Sequence, residues 1–297
     1  MAGVILTSTG TLDFSDEDGG RTVLRAIDLL NYDFNNKIES VVIKPNLCYY
    51  WDYSTGETTD PRVVSAIIDF VRKKVAKDAR IFIAEADASA MRTKYAFKIL
   101  GYERLSQEKN VELVNLSEGH ILSKEVSVGK SKFALAVNKI LLESDLVINV
   151  PKLKYHRGPG ISCALKNMFG AIATPRKYAF HPRLSDFIVG INKIVKSHIT
   201  VVDGIIARGE YPKKIGVIIA SNDALAADFV AAKILGYEPE RINYLNLAKK
   251  EKVGDATNIN LKEDRIKLEE VKKLFPKQNY LIQRMSWGLQ LKMLRIY

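Results

Sequence analysis

The sequence predicts an α/β fold with a mixed, mostly parallel sheet that is flanked by helices and carries one β-hairpin insertion. Short apolar runs alternate with segments of helical spacing, which is the pattern of strands joined by crossover helices. The exception is 123–137, where two alternating segments surround Gly129 and Lys130 and predict a hairpin. No internal repeat and no linker of biased composition interrupts this alternation.

The first half of the chain contains four apolar runs and three helical patterns. We expect an acidic loop at 13–20. Asp60 and Pro61 mark the start of the second helix, because the carboxylate can accept free backbone N–H groups and proline needs no N–H at the first helical position. The expected strands are 4–7, 40–43, 80–84 and 111–116, and the expected helices are 21–30, 61–74 and 94–100.

The second half is organised around the run Leu146–Val150, which stops at Pro151 and opens into a cationic loop and then a helix that carries Lys166 and Asn167. Gly236 is placed to end the last strong helix. The remaining expected elements are strands at 199–202 and 216–220 and helices at 182–194 and 223–235.

We expect a single α/β domain over 1–262 and a helical tail over 263–297. The apolar and basic end of that tail, 280–297, fits either a helix docked on its own domain or one that lies on a membrane surface.

Composition describes an ordinary globular protein of 297 residues with 47% hydrophobic residues and a net charge of +11. A basic chain is drawn to nucleic acid, acidic membranes or anionic metabolites. Two distant cysteines, no signal peptide and no transmembrane segment favour a reducing, cytoplasmic location. Without a cysteine cluster, no iron–sulfur cluster is expected from this chain alone.

Five apolar runs end in polar residues, and ligands bind beyond the carboxyl ends of the strands in open α/β sheets. If all five strands are parallel, their ends meet at one edge and form a site. The alternative is that these are ordinary polar loops. The five ends are Lys44-Pro45-Asn46, Glu85-Ala86-Asp87, Pro151-Lys152-Leu153-Lys154, Asp203-Gly204 and Asn222-Asp223.

The segment 151–185 carries seven lysines or arginines and no acidic residue, which predicts a local positive field. Lys152, Lys154 and His156 alternate, so in an extended chain they share one side and suit an anion or a proton transfer. The alternative is a solvated basic loop. Lys166 either extends its ammonium to solvent or is a partly buried amine with a lowered pKa.

The acidic candidates each have an ordinary structural alternative. Asp60 and Asp223 fit helix caps, and Asp203 before Gly204 fits a turn. Asp228 lies among apolar helix residues and is expected to face solvent or a buried cation. Glu85 and Asp87 alternate and fit a divalent metal, although one pair is weak support. The usual nucleotide, protease and hydrolase motifs are absent.

Several motifs together resemble the domain-of-unknown-function family numbered 362, in the same order from about Val41 to Gly254. They are KPN at 44–46, TTDP at 58–61, NVPKLKYH at 149–156, ALKNMFG at 164–170, VVDGI at 201–205 and SNDALAADFVAAKILG at 221–236. Many members look iron–sulfur-associated because they carry a ferredoxin-like module, which this chain lacks. The resemblance implies a site at Lys44, Asn46, Asp60, Lys152, Lys154, His156, Lys166, Asn167, Asp203, Asp223 and Asp228, without an established reaction.

Our first hypothesis is an enzyme or enzyme-like binder of a small anionic metabolite. The expected anion and ligand contacts are Lys44, Asn46, Asp60, Lys152, Lys154, Asn167 and Asp223, and the expected catalytic groups are His156, Lys166, Asp203 and Asp228. The alternatives are a nucleic-acid-binding protein that uses 151–185 and a partner subunit of a separate iron–sulfur redox protein. The metal ligands and the cofactor stay open, a divalent metal included.

Overall fold

The computed structural model describes residues 1–9, 16–34 and 37–275. The strands are β1 Ala2–Ser8, β2 Ser40–Pro45, β3 Arg80–Glu85, β4 Glu112–Asn115, β5 Ile121–Val128, β6 Ser131–Asn138, β7 Leu146–Val150, β8 Lys152–His156, β9 Gly160–Ser162, β10 Ile199–Arg208, β11 Pro212–Ser221 and β12 Ile259–Asp264. The helices are α1 Asp16–Leu30, α2 Pro61–Phe70, α3 Thr93–Ile99, α4 Tyr102–Lys109, α5 Ile140–Glu143, α6 Ala164–Phe169, α7 Leu184–Ile194, α8 Ala224–Ile234, α9 Asn243–Lys250 and α10 Leu268–Lys272.

The central sheet confirms the predicted mixed, mostly parallel α/β fold. Its strand order is β12-β1-β11-β10-β7-β2-β3-β4, with β8 paired to β10 and β9 paired to β8. The neighbours from β10 to β4 run parallel to one another, whereas β11 runs antiparallel to both β10 and β1. The predicted hairpin is confirmed as β5 and β6, which pair antiparallel around Gly129 and Lys130.

Two apolar cores cover the two faces of this sheet, because neighbouring residues of a strand point to opposite faces. Val41 and Ile43 of β2 belong to one core, together with residues of α1 to α4, and Val42 belongs to the other, together with α6 to α9. The hairpin packs on the second side, where the rings of Phe133 and Phe187 lie 4.7 Å apart. The result is a three-layer arrangement that leaves the strand ends open for a site.

Local signals fix several helix ends as predicted. The Asp60 carboxylate accepts the backbone N–H of Arg62, and Pro61 takes the first position of α2. The Asp223 carboxylate accepts the N–H of Ala226 at the start of α8. Gly236 follows α8 with a φ of 82°, a left-handed conformation that suits glycine.

Two expectations about the chain ends differ from the structure. The predicted acidic loop 13–20 is helical from Asp16, so α1 begins earlier than its apolar spacing indicates. The strand β12 crosses the predicted boundary at residue 262 and pairs parallel with β1, because Ile259 and Leu261 supply the alternation that a strand needs. The tail segment 280–297 lies outside the described residues. Within the described residues, no helix has both the length and the apolar character needed to cross a membrane.

Candidate functional site

A central cleft of about 700 Å³ opens at the carboxyl ends of β2 and β3. Its walls come from the loops after these strands, from β8, from α6, from the turn before α7 and from the β10–β11 hairpin. Five of the predicted site residues line this central cleft: Asn46, Lys154, His156, Lys166 and Asn167. The position agrees with the rule that ligands bind beyond the carboxyl ends of parallel strands.

Lys44 lies at the end of β2, is completely buried and does not line the central cleft. Its ammonium group donates to Glu85 Oε2 at 2.9 Å and to the Pro45 carbonyl at 2.9 Å. Burial lowers its pKa, and the Glu85 carboxylate opposes that change. Since Glu85 does line the cleft, Lys44 holds in place a carboxylate of the cleft wall.

Asn167 ties α6 to the sheet with its whole side-chain amide. Its Nδ2 donates to Asn149 Oδ1 at 2.8 Å and to the Lys44 carbonyl at 3.2 Å, and its Oδ1 lies 3.4 Å from the Lys44 ammonium. Asn149 also donates to the Ala164 carbonyl at 2.9 Å. These bonds set the position of α6, and through it the position of Lys166. Asn149 was missed by our sequence reasoning, although a lone amide inside an apolar strand is a detectable signal.

Lys152 and Asp203 form a second buried ion pair, with a distance of 2.8 Å and no solvent exposure of either side chain. Asp203 also accepts the backbone N–H groups of Asp60, at 2.8 Å, and Ile205, at 3.1 Å. The sequence placed Asp203 at a strand end, which is wrong, because β10 continues to Arg208. Asp60, Lys152 and Asp203 are buried and do not line the central cleft.

Lys154 lines the central cleft and is paired with Glu57, a partner that the sequence did not predict. Its ammonium donates to the Glu57 carbonyl at 2.7 Å and lies 3.2 Å from the Glu57 carboxylate. The Arg208 guanidinium binds the other oxygen of that carboxylate at 2.9 Å. Two cations thus share one carboxylate, which leaves a local excess of positive charge.

Lys166 projects from α6 into the central cleft. Its ammonium lies 5.9 Å from the centre of the Phe169 ring, and no carboxylate of the described residues pairs with it. Burial, followed by the positive charge of Lys154, lowers the pKa of Lys166 to about 8. A lysine with this pKa holds a proton at pH 7 and releases it readily, as acid–base chemistry near neutral pH requires.

His156 faces the same cleft as a neutral ring. Burial and the charges of Lys166, Lys154 and His181 hold its pKa well below the ordinary value. Its Nδ1 accepts the backbone N–H of Gly158 at 3.2 Å, so the proton of the neutral ring is on Nε2. His156 is accordingly suited to donate a hydrogen bond from Nε2 at neutral pH.

Comparison with known proteins gives this architecture a family. The sequence model of the family DUF362, a domain of unknown function, matches residues 41–233, which is more than half of the chain. The chain belongs to the DUF362 family. It is 27% identical over 230 residues to a thylakoid-associated protein of Synechocystis, an alignment that covers 73% of this chain and 68% of that protein.

Among solved structures, the lactate racemase apoprotein of Thermoanaerobacterium thermosaccharolyticum gives a TM-score of 0.47 at 16% identity. That match covers 76% of this chain, which spans 56% of the racemase chain.

Two acidic residues of this DUF362 protein lie away from the central cleft. Asp223 was predicted at the common edge of the strand ends, but β11 is antiparallel to β10 and Ser221 pairs with Thr200, near the start of β10. Asp223 therefore lies at the opposite edge of the sheet. Asp228 was expected to face solvent or a cation. Instead it is fully buried and accepts backbone N–H groups at the start of α6.

Lys177 is a further lining residue of the DUF362 protein that our candidate set missed. It is buried, donates to the carbonyls of Asp87 at 2.6 Å and Ile172 at 2.7 Å, and has its pKa lowered to about 8, chiefly by burial. Lys177 lies in the segment 151–185, which is basic and has no acidic residue, and this composition was the signal that could have identified it. Because Lys152, Lys154 and Lys177 are all buried, these three cations do not form the open basic face that a nucleic-acid backbone needs.

The acidic pair proposed for a metal has other partners in the DUF362 protein. Glu85 accepts from Lys44 and from the backbone N–H of Ala86 at 3.0 Å. Asp87 pairs with Arg92 at 2.9 Å and accepts the N–H of Thr93 at 2.8 Å. Over the described ranges, no group of three or more histidine, cysteine, aspartate or glutamate residues is arranged to hold a metal ion.

Proposed function

We propose that this DUF362 protein is an enzyme or enzyme-like binder of a small anionic metabolite, a carboxylate or a phosphate, which it takes into the central cleft. The observation that carries the proposal is Lys166, a cleft-lining ammonium without a carboxylate partner among the described residues. A bound anion would supply that counterion and form a charge-assisted hydrogen bond.

The surrounding charges support the same proposal. Arg157 also lines the central cleft and forms no ion pair with a described residue, and Lys154 and Arg208 have one carboxylate between them. Lys177 is hydrogen-bonded to carbonyl oxygens rather than to a carboxylate, although the charges of Glu85 and Asp87 lie near it. The field inside this partly enclosed space therefore attracts anions, and low exposure to water strengthens the attraction.

The proposed chemistry is proton transfer, with Lys166 as the group that gains and loses the proton and His156 as a hydrogen-bond donor. An isomerase, a lyase or a redox reaction with a diffusible partner fits this pair. The free thiols Cys48 and Cys163 support our proposal of a reducing, cytoplasmic compartment.

Replacing Lys166 by methionine tests the proposal directly. We expect phosphate, oxalate or malonate to bind the variant at least about tenfold more weakly, because a charge-assisted hydrogen bond is worth roughly 1.5–3 kcal/mol. Isothermal titration calorimetry measures the affinity, and protection of Cys48 from alkylation reports occupancy independently. Cys48 lines the cleft, whereas Cys163 is fully buried.

Lys130→Met is the matched control, since Lys130 is an exposed lysine at the tip of the hairpin. It removes the same charge without touching the cleft. Equal affinities of the Lys166→Met variant and the unchanged protein would refute the proposal, as would equal losses in both variants.

The affinity for the anion is also expected to depend on pH. Binding needs the protonated ammonium, so affinity should be constant below about pH 7 and fall through the pKa of Lys166, about 8. Arginine stays protonated in this range, so the decline should be smaller in the Lys166→Arg variant, where Lys177, with a pKa of about 8, still titrates in the cleft. Calorimetry with oxalate, whose own charge is constant from pH 6 to pH 9.5, measures both curves, and parallel curves would contradict the assignment.

A further inference from the structure

We infer that the anion bound by this protein carries a planar, unsaturated group, and that this group stacks on the aromatic side chains at the mouth of the central cleft. The inference rests on the proposed function and specifies its substrate class. It follows from the size of the cleft, the composition of its rim and the backbone of one loop.

The central cleft is much larger than the anionic group that its cations would bind. Its volume of about 700 Å³ is in the range that holds a drug-sized organic molecule. A phosphate or carboxylate group beside Lys166 would leave most of that space filled with water. A larger body attached to the anion is needed to occupy the rest of the cleft.

Aromatic side chains line the mouth where that body would lie. Tyr49, Trp51 and Tyr178 contribute to the lining and are 43%, 49% and 62% exposed. The rings of Tyr49 and Trp51 lie 5.1 Å apart at an angle of 57°, so they are not stacked face to face. Exposed rings of this kind beside a cationic cleft are suited to stack on a planar ligand.

The loop that carries Tyr49 and Trp51 is held in an unusual conformation. Tyr49 has a φ of 54°, the left-handed region that bulky residues rarely adopt. The Tyr50 hydroxyl accepts the backbone N–H of Arg92 at 3.0 Å and ties the loop to the segment before α3. Such strain is maintained mostly at functional sites, where it fixes the direction of a side chain.

The combination of Lys166 inside the cleft and Trp51 at its mouth defines the ligand as a molecule with two ends. The anionic end pairs with the ammonium, and the planar end covers the indole and phenol rings. Nucleotides and aryl carboxylates both have this chemistry, so the test uses one probe of each kind.

Calorimetry with two matched pairs of probes tests the inference: adenosine 5′-monophosphate against inorganic phosphate, and 2-naphthoate against acetate. We expect the planar member of at least one pair to bind more tightly by roughly tenfold to a hundredfold, the range of one stacking interaction. A Trp287→Phe background leaves Trp51 as the single tryptophan, and its fluorescence should be quenched by that planar probe.

The variant Trp51→Ala should reduce the preference for the planar probe, since one of the three rings is gone, and leave the affinity for phosphate or acetate unchanged. The control is Tyr95→Ala, which removes an aromatic side chain of 50% exposure that does not line the cleft. If the planar and the small anion of both pairs bind with equal affinity, the inference about stacking is overturned and the proposed function is not. Absence of any binding that depends on Lys166 would overturn the proposed function as well.

Discussion

Replacing Asp203 by alanine is expected to lower the free energy of unfolding by about 3–5 kcal/mol, the cost of leaving one member of a buried ion pair without its partner. The Lys152 ammonium would keep no carboxylate, and neither ion-pair side chain is exposed to solvent. The backbone N–H groups of Asp60 and Ile205 would lose their acceptor as well. Urea denaturation of the variant and the unchanged protein measures the difference.

Three further variants separate the causes of that loss. Asp203→Asn keeps the shape but removes the charge, and should still lose most of the stability. The double variant Lys152→Met, Asp203→Asn should recover part of the lost free energy of unfolding, because the buried ammonium without a carboxylate partner is removed as well. Glu112→Ala is the control, because it breaks the exposed pair with Arg80 and should cost less than about 1 kcal/mol. A loss below that level for Asp203→Asn would show that the pair has no such structural role.

The sequence was sufficient to predict which strand ends meet wherever the strands are parallel. The ends of β2, β3 and β7 lie at one edge, as the alternation of apolar runs and helices indicated. Asp223 could not be placed in this way. Its strand reverses direction after the short turn that follows Arg208, and an apolar run reads the same in either direction.

The pairing of the charged side chains was beyond the sequence for a different reason. Lys44 and Glu85 are separated by 41 residues, and their contact depends on two neighbouring strands bringing their ends together. Local spacing predicts the face of a strand on which a residue lies, but not its partner on the next strand. Lys44 and Lys152 were therefore predicted as ligand contacts, although buried carboxylates already bind them.

The pH dependence of stability is expected to change most when Asp228 is replaced by asparagine. Burial raises the pKa of this carboxyl to about 7, even though its oxygens accept the N–H groups of Ala164 at 2.6 Å and Leu165 at 3.0 Å. The folded protein then binds a proton that the unfolded chain, with an ordinary value of 3.8, has already released. The contribution of Asp228 to the free energy of unfolding is therefore largest below about pH 4, declines as the pH rises to 7 and is constant above it.

Between pH 5 and pH 8 this carboxyl should account for a decline of roughly 2–3 kcal/mol, which the Asp228→Asn variant should lack. Histidines whose pKa is lowered in the folded protein also change the stability in this interval, because in the unfolded chain they titrate near 6.5, but they are common to both proteins and cancel in the comparison. The control is Asp78→Asn at an exposed position. Urea denaturation at both pH values measures the change, and equal declines in the two proteins would show that Asp228 is ionised throughout. The oxygens of Asp228 bind the backbone N–H groups at the start of α6, the helix that carries Lys166. That result would therefore mean that a carboxylate charged from pH 5 to pH 8 positions Lys166.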